Sequence, residues 1–153
     1  MPLQISVVGD AAAEPTRLET AYQVGRLAAE RGWILITGGM GGVMEAASRG
    51  AAEAGGLTVG LLPSYEAATA NPYVKIAIPT GLGHARNAVV VAAAAGVVAV
   101  GGRYGTLSEI ALALKLGKPV VGINTWPGIE GVVLAGDAAT AVAKLSELIG
   151  APA

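Results

Sequence analysis

The 153-residue chain has no cysteine, which excludes a disulfide framework, a thiolate nucleophile and a cysteine-ligated zinc or iron–sulfur site. It has one histidine, His84, and two aspartates, Asp10 and Asp137, so no metal site is expected. Charge is scarce: 14% of residues are Asp, Glu, Lys or Arg, against about 25% in an average globular protein. The ten basic and eleven acidic residues leave a net charge of −1 and form no Lys/Arg cluster. Nucleic-acid affinity rests on neutralising phosphates with a basic patch, so no nucleic-acid partner is expected. Long hydrophobic runs are missing too. The longest, Ala88–Val100, contains Gly96 and falls short of the about 20 residues a span requires. No basic segment leads into an apolar stretch at Met1, so neither a signal peptide nor a membrane partner is expected, and the location expected is cytoplasmic.

What the chain does have is apolar content. Hydrophobic residues make up 53% and the mean hydropathy is +0.58, which excludes disorder. The length corresponds to one domain, residues 1–153, able to bury a full core. So few charges cannot cover the whole surface, and a homo-oligomer, dimer or tetramer, is expected to bury the remainder.

Short apolar runs alternate with helical segments. Strands are expected at Gln4–Val8, Trp33–Thr37, Leu57–Leu62, Lys75–Ile78, Val97–Val100, Pro119–Ile123 and, as a short last strand, Val132–Ala135. Helices are expected at Pro15–Arg31, Val43–Ala54, from Gly83 or His84 to Ala95, Thr106–Leu116 and Ala138–Ile149, the last capped by Asp137. Gly32, Gly55-Gly56 and Gly117 stand where helices stop. The run Val89-Val90-Val91 weakens the third helix. This alternation predicts an α/β fold: a doubly wound, Rossmann-like parallel sheet of six to seven strands with helices on both faces. Ligands of such folds bind outside the strand carboxyl ends, where the strand order reverses.

Two glycine-rich loops fall there. Thr37-Gly38-Gly39-Met40-Gly41-Gly42 follows the second strand, and Gly101-Gly102-Arg103-Tyr104-Gly105-Thr106 follows a later one. Glycines let backbone approach a ligand, and the helix start behind each loop offers free N–H groups to a phosphate. No Gly-Lys-Ser/Thr follows either loop, which excludes a Walker nucleotide triphosphatase. The first strand continues as Gly9-Asp10-Ala11 and the third ends without an acid, which excludes the dinucleotide fingerprint. No lysine stands in surroundings that suit a pyridoxal Schiff base.

Single residues admit two readings each. Thr106-Leu107-Ser108-Glu109 has capping-box spacing, with Thr106 as N-cap and Glu109 reaching back to it. Glu109 is equally placed to bond a ribose or act as general acid or base. Arg86 begins a helix, where a cation is unfavourable unless it faces solvent or serves an anionic ligand. Asp10 either caps the next helix or binds ligand hydroxyls. Arg103 either grips phosphate or lies exposed. Trp126 suits stacking on a heterocycle, a subunit contact or a lid. His84 reads as a turn residue rather than a catalytic base.

Together these residues resemble the LONELY GUY superfamily, also labelled "possible lysine decarboxylase", and within it the branch like molybdenum cofactor carriers. The resemblance runs from Ile5 to about Ile149. Gly38-Gly39-Met40-Gly41-Gly42-Val43-Met44 is similar to the family's Gly-Gly-Gly-Ser-x-Gly-Leu-Met loop. Gly102 to Glu109 is similar to its Pro-Gly-Gly-x-Gly-Thr-x-x-Glu, and His84-Ala85-Arg86-Asn87 to its His-x-Arg-Lys. The resemblance implies glycine loops that hold phosphate and sugar. In the enzymatic members, the residues matching Arg86 and Glu109 assist cleavage of the N-glycosidic bond of a nucleoside 5′-monophosphate. Three departures point to the carrier branch: Gly101 stands in the proline position, Arg103 in that of the second glycine, and Asn87 in that of the lysine. Members of that branch bind the phosphorylated pterin of the molybdenum cofactor without chemistry.

The expected function is therefore a binding or carrier protein for a phosphorylated heterocycle, a molybdenum-cofactor-type pterin or a nucleotide. No cofactor is required for folding. The expected ligand site comprises Gly9, Asp10, Gly38, Gly39, Met40, Gly41, Gly42, Arg86, Gly102, Arg103, Tyr104, Gly105, Thr106 and Glu109. The alternative is a phosphoribohydrolase with Arg86 and Glu109 catalytic. Nothing in these residues supports lysine decarboxylation.

Overall fold

A computed structural model describes residues 2–150. Seven strands form one sheet in the order β4-β3-β2-β1-β5-β6-β7. They are β1 (Gln4–Gly9), β2 (Ile34–Thr37), β3 (Thr58–Leu62), β4 (Ile76–Pro79), β5 (Gly96–Val100), β6 (Val120–Ile123) and β7 (Val132–Leu134). Every neighbouring pair is parallel. The central strands are Val/Ile runs because both their faces are covered. In β5 every residue is buried.

The helices are α1 (Pro15–Glu30), α2 (Val43–Glu53), α3 (Arg86–Ala92), α4 (Tyr104–Lys115) and α5 (Ala138–Ile149). Side-chain alternation along the strands feeds two cores. Ile5, Val7, Val98 and Val100 pack under α1, α2 and α5. Val8, Val97 and Ala99 pack under α3 and α4. Ser6 also points to the second face, where its hydroxyl donates to the Val90 carbonyl at 2.6 Å. The α1–α2 contact is unusually close. A Cβ at Gly25 would overlap the Ala47 carbonyl, and one at Gly50 the Tyr22 carbonyl.

Boundaries differ from the sequence expectation in two instructive places. The third helix is shorter: Gly83–Ala85 is a 3-10 turn, and α3 proper ends at Ala92. The β-branched run restricts side-chain rotamers in a helix, and Ala95 instead donates to the Gln4 carbonyl at 2.8 Å, already leading into β5. The fourth helix begins two residues earlier, at Tyr104, with Arg103 as N-cap and no side-chain cap bond. The capping box at Thr106 and Glu109 is therefore not formed. Asp137 does cap α5, accepting from the Thr140 N–H at 2.7 Å.

Strand order reverses between β1 and β5, so the loops after these two strands flank the crevice expected of this topology. No described helix is long and apolar enough to cross a membrane.

Candidate crevice at the strand carboxyl ends

Two adjoining cavities open at the reversal point and share Asp10 in their walls. The central one, about 270 Å³, is lined by Gly9, Asp10, Ala11, Met44, His84, Arg86, Asn87, Gly105, Thr106 and Glu109. The second, about 460 Å³, is lined by Asp10, Ala12, Ala13, Glu14, Arg17, Gly102 and Arg103.

The central cavity is assembled from four chain segments, one of which gives Met44 of α2. The β1 turn supplies Gly9 and Asp10, where a Cβ on Gly9 would crowd Val43 and the Val100 carbonyl. Asp10 uses its backbone carbonyl to accept the Val43 N–H of α2 at 2.9 Å. Its side chain does not cap α1, whose N-cap is Glu14 with no side-chain bond. The first turn of α4 supplies Gly105 and Thr106, whose helical amides have no intrahelical acceptor. The start of α3 supplies Arg86.

Arg86 and Glu109 give this cavity its electrostatics. Arg86 Nη1 donates to Asn87 Oδ1 at 3.0 Å, while its Nε is buried without a partner. Burial lowers the Arg86 pKa, and Glu109 opposes that shift. Glu109, one turn and a half into α4, is 7% exposed. Burial pushes its carboxyl up to about 7, against the pull of Arg86. Among the described residues the two form no ion pair within 4.0 Å. The cavity thus holds a half-buried cation with a buried free donor, Nε, and a buried carboxyl whose pKa is pushed up to about 7.

The first glycine loop contributes from behind rather than as a liner of this cavity. A side chain at Gly38 would strike the Arg86 guanidinium and Met44 Sδ, so Gly38 keeps the space Arg86 occupies. The Gly39 N–H donates to Thr37 Oγ1 at 3.0 Å. The Gly39 and Met40 carbonyls accept from Asn71, both at 2.9 Å, which ties this stretch toward the β3–β4 side. Gly41 and Gly42 pass close to the β1 turn: at Gly42, φ is +64° and a Cβ would overlap the Asp10 carbonyl. Gly42 lines a separate cavity of about 170 Å³ beside Arg49 and Tyr73.

Tyr104 lies outside both cavities, 79% exposed, with its ring 5.7 Å from that of Trp126. Trp126 Nε1 donates to the Arg103 carbonyl at 2.9 Å. That bond holds the N-cap of α4 from the outside. His84 is an exposed turn residue at the rim of the central cavity. Arg103 is exposed and lines the second cavity.

Sequence reasoning missed Met44 and Arg17. Arg17 stands in the first turn of α1 yet lies against Gly101: a Cβ there would come within 2.8 Å of Arg17 Cδ. The available signal was a cation in the first turn of the helix that follows β1, an unfavourable place without an anion.

Fold and site define a Rossmann-like domain with a crevice of scarce, concentrated charge at the strand carboxyl ends. The chain belongs to the SLOG cluster4 family, whose model matches residues 2–148. It is 45% identical over 130 residues to an uncharacterized protein of Archaeoglobus fulgidus, covering 85% of each. Among solved structures it is similar to the molybdenum cofactor binding protein from the phototrophic bacterium Rippkaea orientalis. Identity there is 41%, the TM-score 0.92, and coverage 97% of this chain and 98% of that one. It is also similar to the Moco carrier protein from Chlamydomonas reinhardtii, at 40% identity and a TM-score of 0.90, covering 98% and 99% of the two chains.

Proposed function

We propose that this chain binds a phosphorylated heterocycle of the molybdenum cofactor's pterin class in the central cavity and carries it without turnover. The observation that carries the reading is the convergence of Arg86, with its buried unpartnered Nε, and the free α4 amides of Gly105 and Thr106 on one cavity. An anionic oxygen accepts from such donors, and a buried guanidinium Nε–H without a partner carries a desolvation penalty that an acceptor relieves. The two cavities together reach the size of small-molecule sites, about 300–1,000 Å³. The names of the Rippkaea and Chlamydomonas relatives support the same ligand class. Equilibrium titration with phosphorylated pterins and nucleoside monophosphates tests the reading. Saturable pterin binding, lost in Arg86→Ala, is expected; no saturable binding by the wild type contradicts it.

One observation favours a second reading. A Glu109 carboxyl at about 7 beside a cation is poised for general acid or base catalysis. In a phosphoribohydrolase it would position water or steady the developing sugar cation, and Arg86 would assist the leaving base. Release of free base from AMP, abolished in Glu109→Gln, decides for this reading; a wild type inert toward common nucleoside monophosphates decides against it.

The carrier reading includes a homo-oligomer. Beside the central cavity, and sharing His84, Asn87 and Gly105 with it, Ala88, Tyr104 and Leu112 border an exposed hollow of about 630 Å³ that is largely apolar. Sedimentation equilibrium reads the subunit number, and a monomer at micromolar concentration contradicts this part.

A further inference from the structure

We propose that Asn71 is a positioning residue for ligand binding, which pins the first glycine loop so that Gly38 holds the Arg86 guanidinium in the central cavity. This rests on the reading of that cavity as the ligand site, and adds a determinant from a part of the chain outside both glycine loops.

Asn71 lies in the connection between β3 and β4. Residues 65–69 and 72 of that connection are exposed, yet Asn71 itself is 8% exposed. Burying an amide costs free energy unless its polar groups are bonded, and here each has a partner. The backbone N–H donates to the Gly39 carbonyl at 2.9 Å. Nδ2 donates to the Met40 carbonyl, also at 2.9 Å. Oδ1 accepts from the Tyr73 N–H at 3.0 Å, and the backbone carbonyl from the Val74 N–H at 3.3 Å. The last two bonds shape the connection itself, while the first two leave it and grip the glycine loop. A carboxylate here would accept from Tyr73 but has no donor for Met40.

The loop needs that grip. Glycine loses more backbone freedom on ordering than any other residue, so Gly38-Gly39-Met40-Gly41-Gly42 does not hold its shape unaided. Gly39 stands at φ +76°, and its N–H is tied to Thr37 Oγ1 at 3.0 Å. Gly38, beside it, lies against Arg86: a Cβ there would overlap Nη1 and stand 2.8 Å from Met44 Sδ. Among the described residues the Arg86 guanidinium makes one hydrogen bond, from Nη1 to Asn87 Oδ1. One bond leaves a long side chain much of its rotamer freedom. Contact with Gly38 supplies the second constraint. Asn71 thus acts on the ligand through Gly38 and Arg86, without lining the cavity.

The test is a nuclear magnetic resonance titration with inorganic phosphate, below neutral pH, that follows the arginine Nε–H signals. The Arg86 signal is the one absent from Arg86→Lys. In the wild type it should be protected from solvent exchange, and phosphate should shift it saturably. Asn71→Ala should lose that protection and bind phosphate about tenfold more weakly, as when one charge-assisted contact is lost. Asn71→Ser keeps a short donor and acceptor and should recover part of both; it also carries the test if the alanine variant does not fold. Thr58→Val is the control. Thr58 Oγ1 accepts from the Lys75 N–H at 2.9 Å and donates to the Tyr73 carbonyl at 2.6 Å, and neither bond reaches the glycine loop. That variant should denature at a lower midpoint, yet keep the wild-type Arg86 signal and phosphate affinity. An unchanged Arg86 signal and affinity in a folded Asn71 variant, or the same weakening in Thr58→Val, overturns the positioning role. A wild-type signal that phosphate does not shift, but that Asn71→Ala still alters, upholds the positioning of Arg86 and removes the reading of the cavity as an anion site.

Discussion

At the residue scale, Glu109 carries the clearest consequence. Its folded-state pKa of about 7 lies above the ordinary 4.5, because burial outweighs the attraction of Arg86. The folded state therefore holds a proton that the unfolded state has already lost. The associated stability is complete below about 4.5 and disappears as pH rises through about 7. Urea denaturation of the ligand-free protein should show a decline of up to roughly 3 kcal/mol across that window, from a shift of that size at 1.36 kcal/mol per unit. Glu109→Gln should flatten the decline; a wild type equally stable at pH 4.5 and 8 contradicts the burial account. Gly38 gives a second prediction at this scale. Gly38→Ala displaces the far end of a flexible arginine rather than backbone. Ligand affinity should fall about tenfold, as for loss of one charge-assisted contact. Stability should change by less than about 1 kcal/mol. Titration and denaturation of the same variant check both halves.

At the scale of elements, the glycines of α1 and α2 act through backbone contact. Gly25 and Gly50 face carbonyls of the opposite helix, which cannot rotate away as a side chain can. Gly25→Ala or Gly50→Ala should cost about 1–3 kcal/mol from overpacking, read as a lower denaturation midpoint. A neutral outcome would mean that the two helices slide apart without penalty. The elements themselves were largely legible in the sequence, since the Val/Ile runs of β1, β5 and β6 and the Asp137 cap need only local patterning. The start of α4 was not. Thr106-Leu107-Ser108-Glu109 has the spacing of a cap and equally that of a helix interior. Non-local contacts decide between them: the Trp126 indole holds the Arg103 carbonyl, and burial takes Glu109 into the cavity. Arg17 offered a local signal, a cation in the first turn of a helix, but its place beside Gly101, far along the chain, needs the fold.

At the scale of the whole molecule, scarcity of charge becomes informative. The hydropathy arises from a parallel sheet buried on both faces. The charges at the strand carboxyl ends, Asp10, Glu14, Arg17, Arg86, Arg103 and Glu109, surround two adjoining cavities. Of these, the buried Glu109 carboxyl and the partnerless Arg86 Nε cost free energy in the empty cavity, and an anionic oxygen on Arg86 would relieve part of that cost. The most direct test is the mass of whatever leaves the protein on mild denaturation, after expression in cells that make the molybdenum cofactor. A phosphorylated pterin, near one per chain from wild type and absent from Arg86→Ala, is the result expected. Wild-type protein that releases no phosphorylated heterocycle would contradict the carrier account.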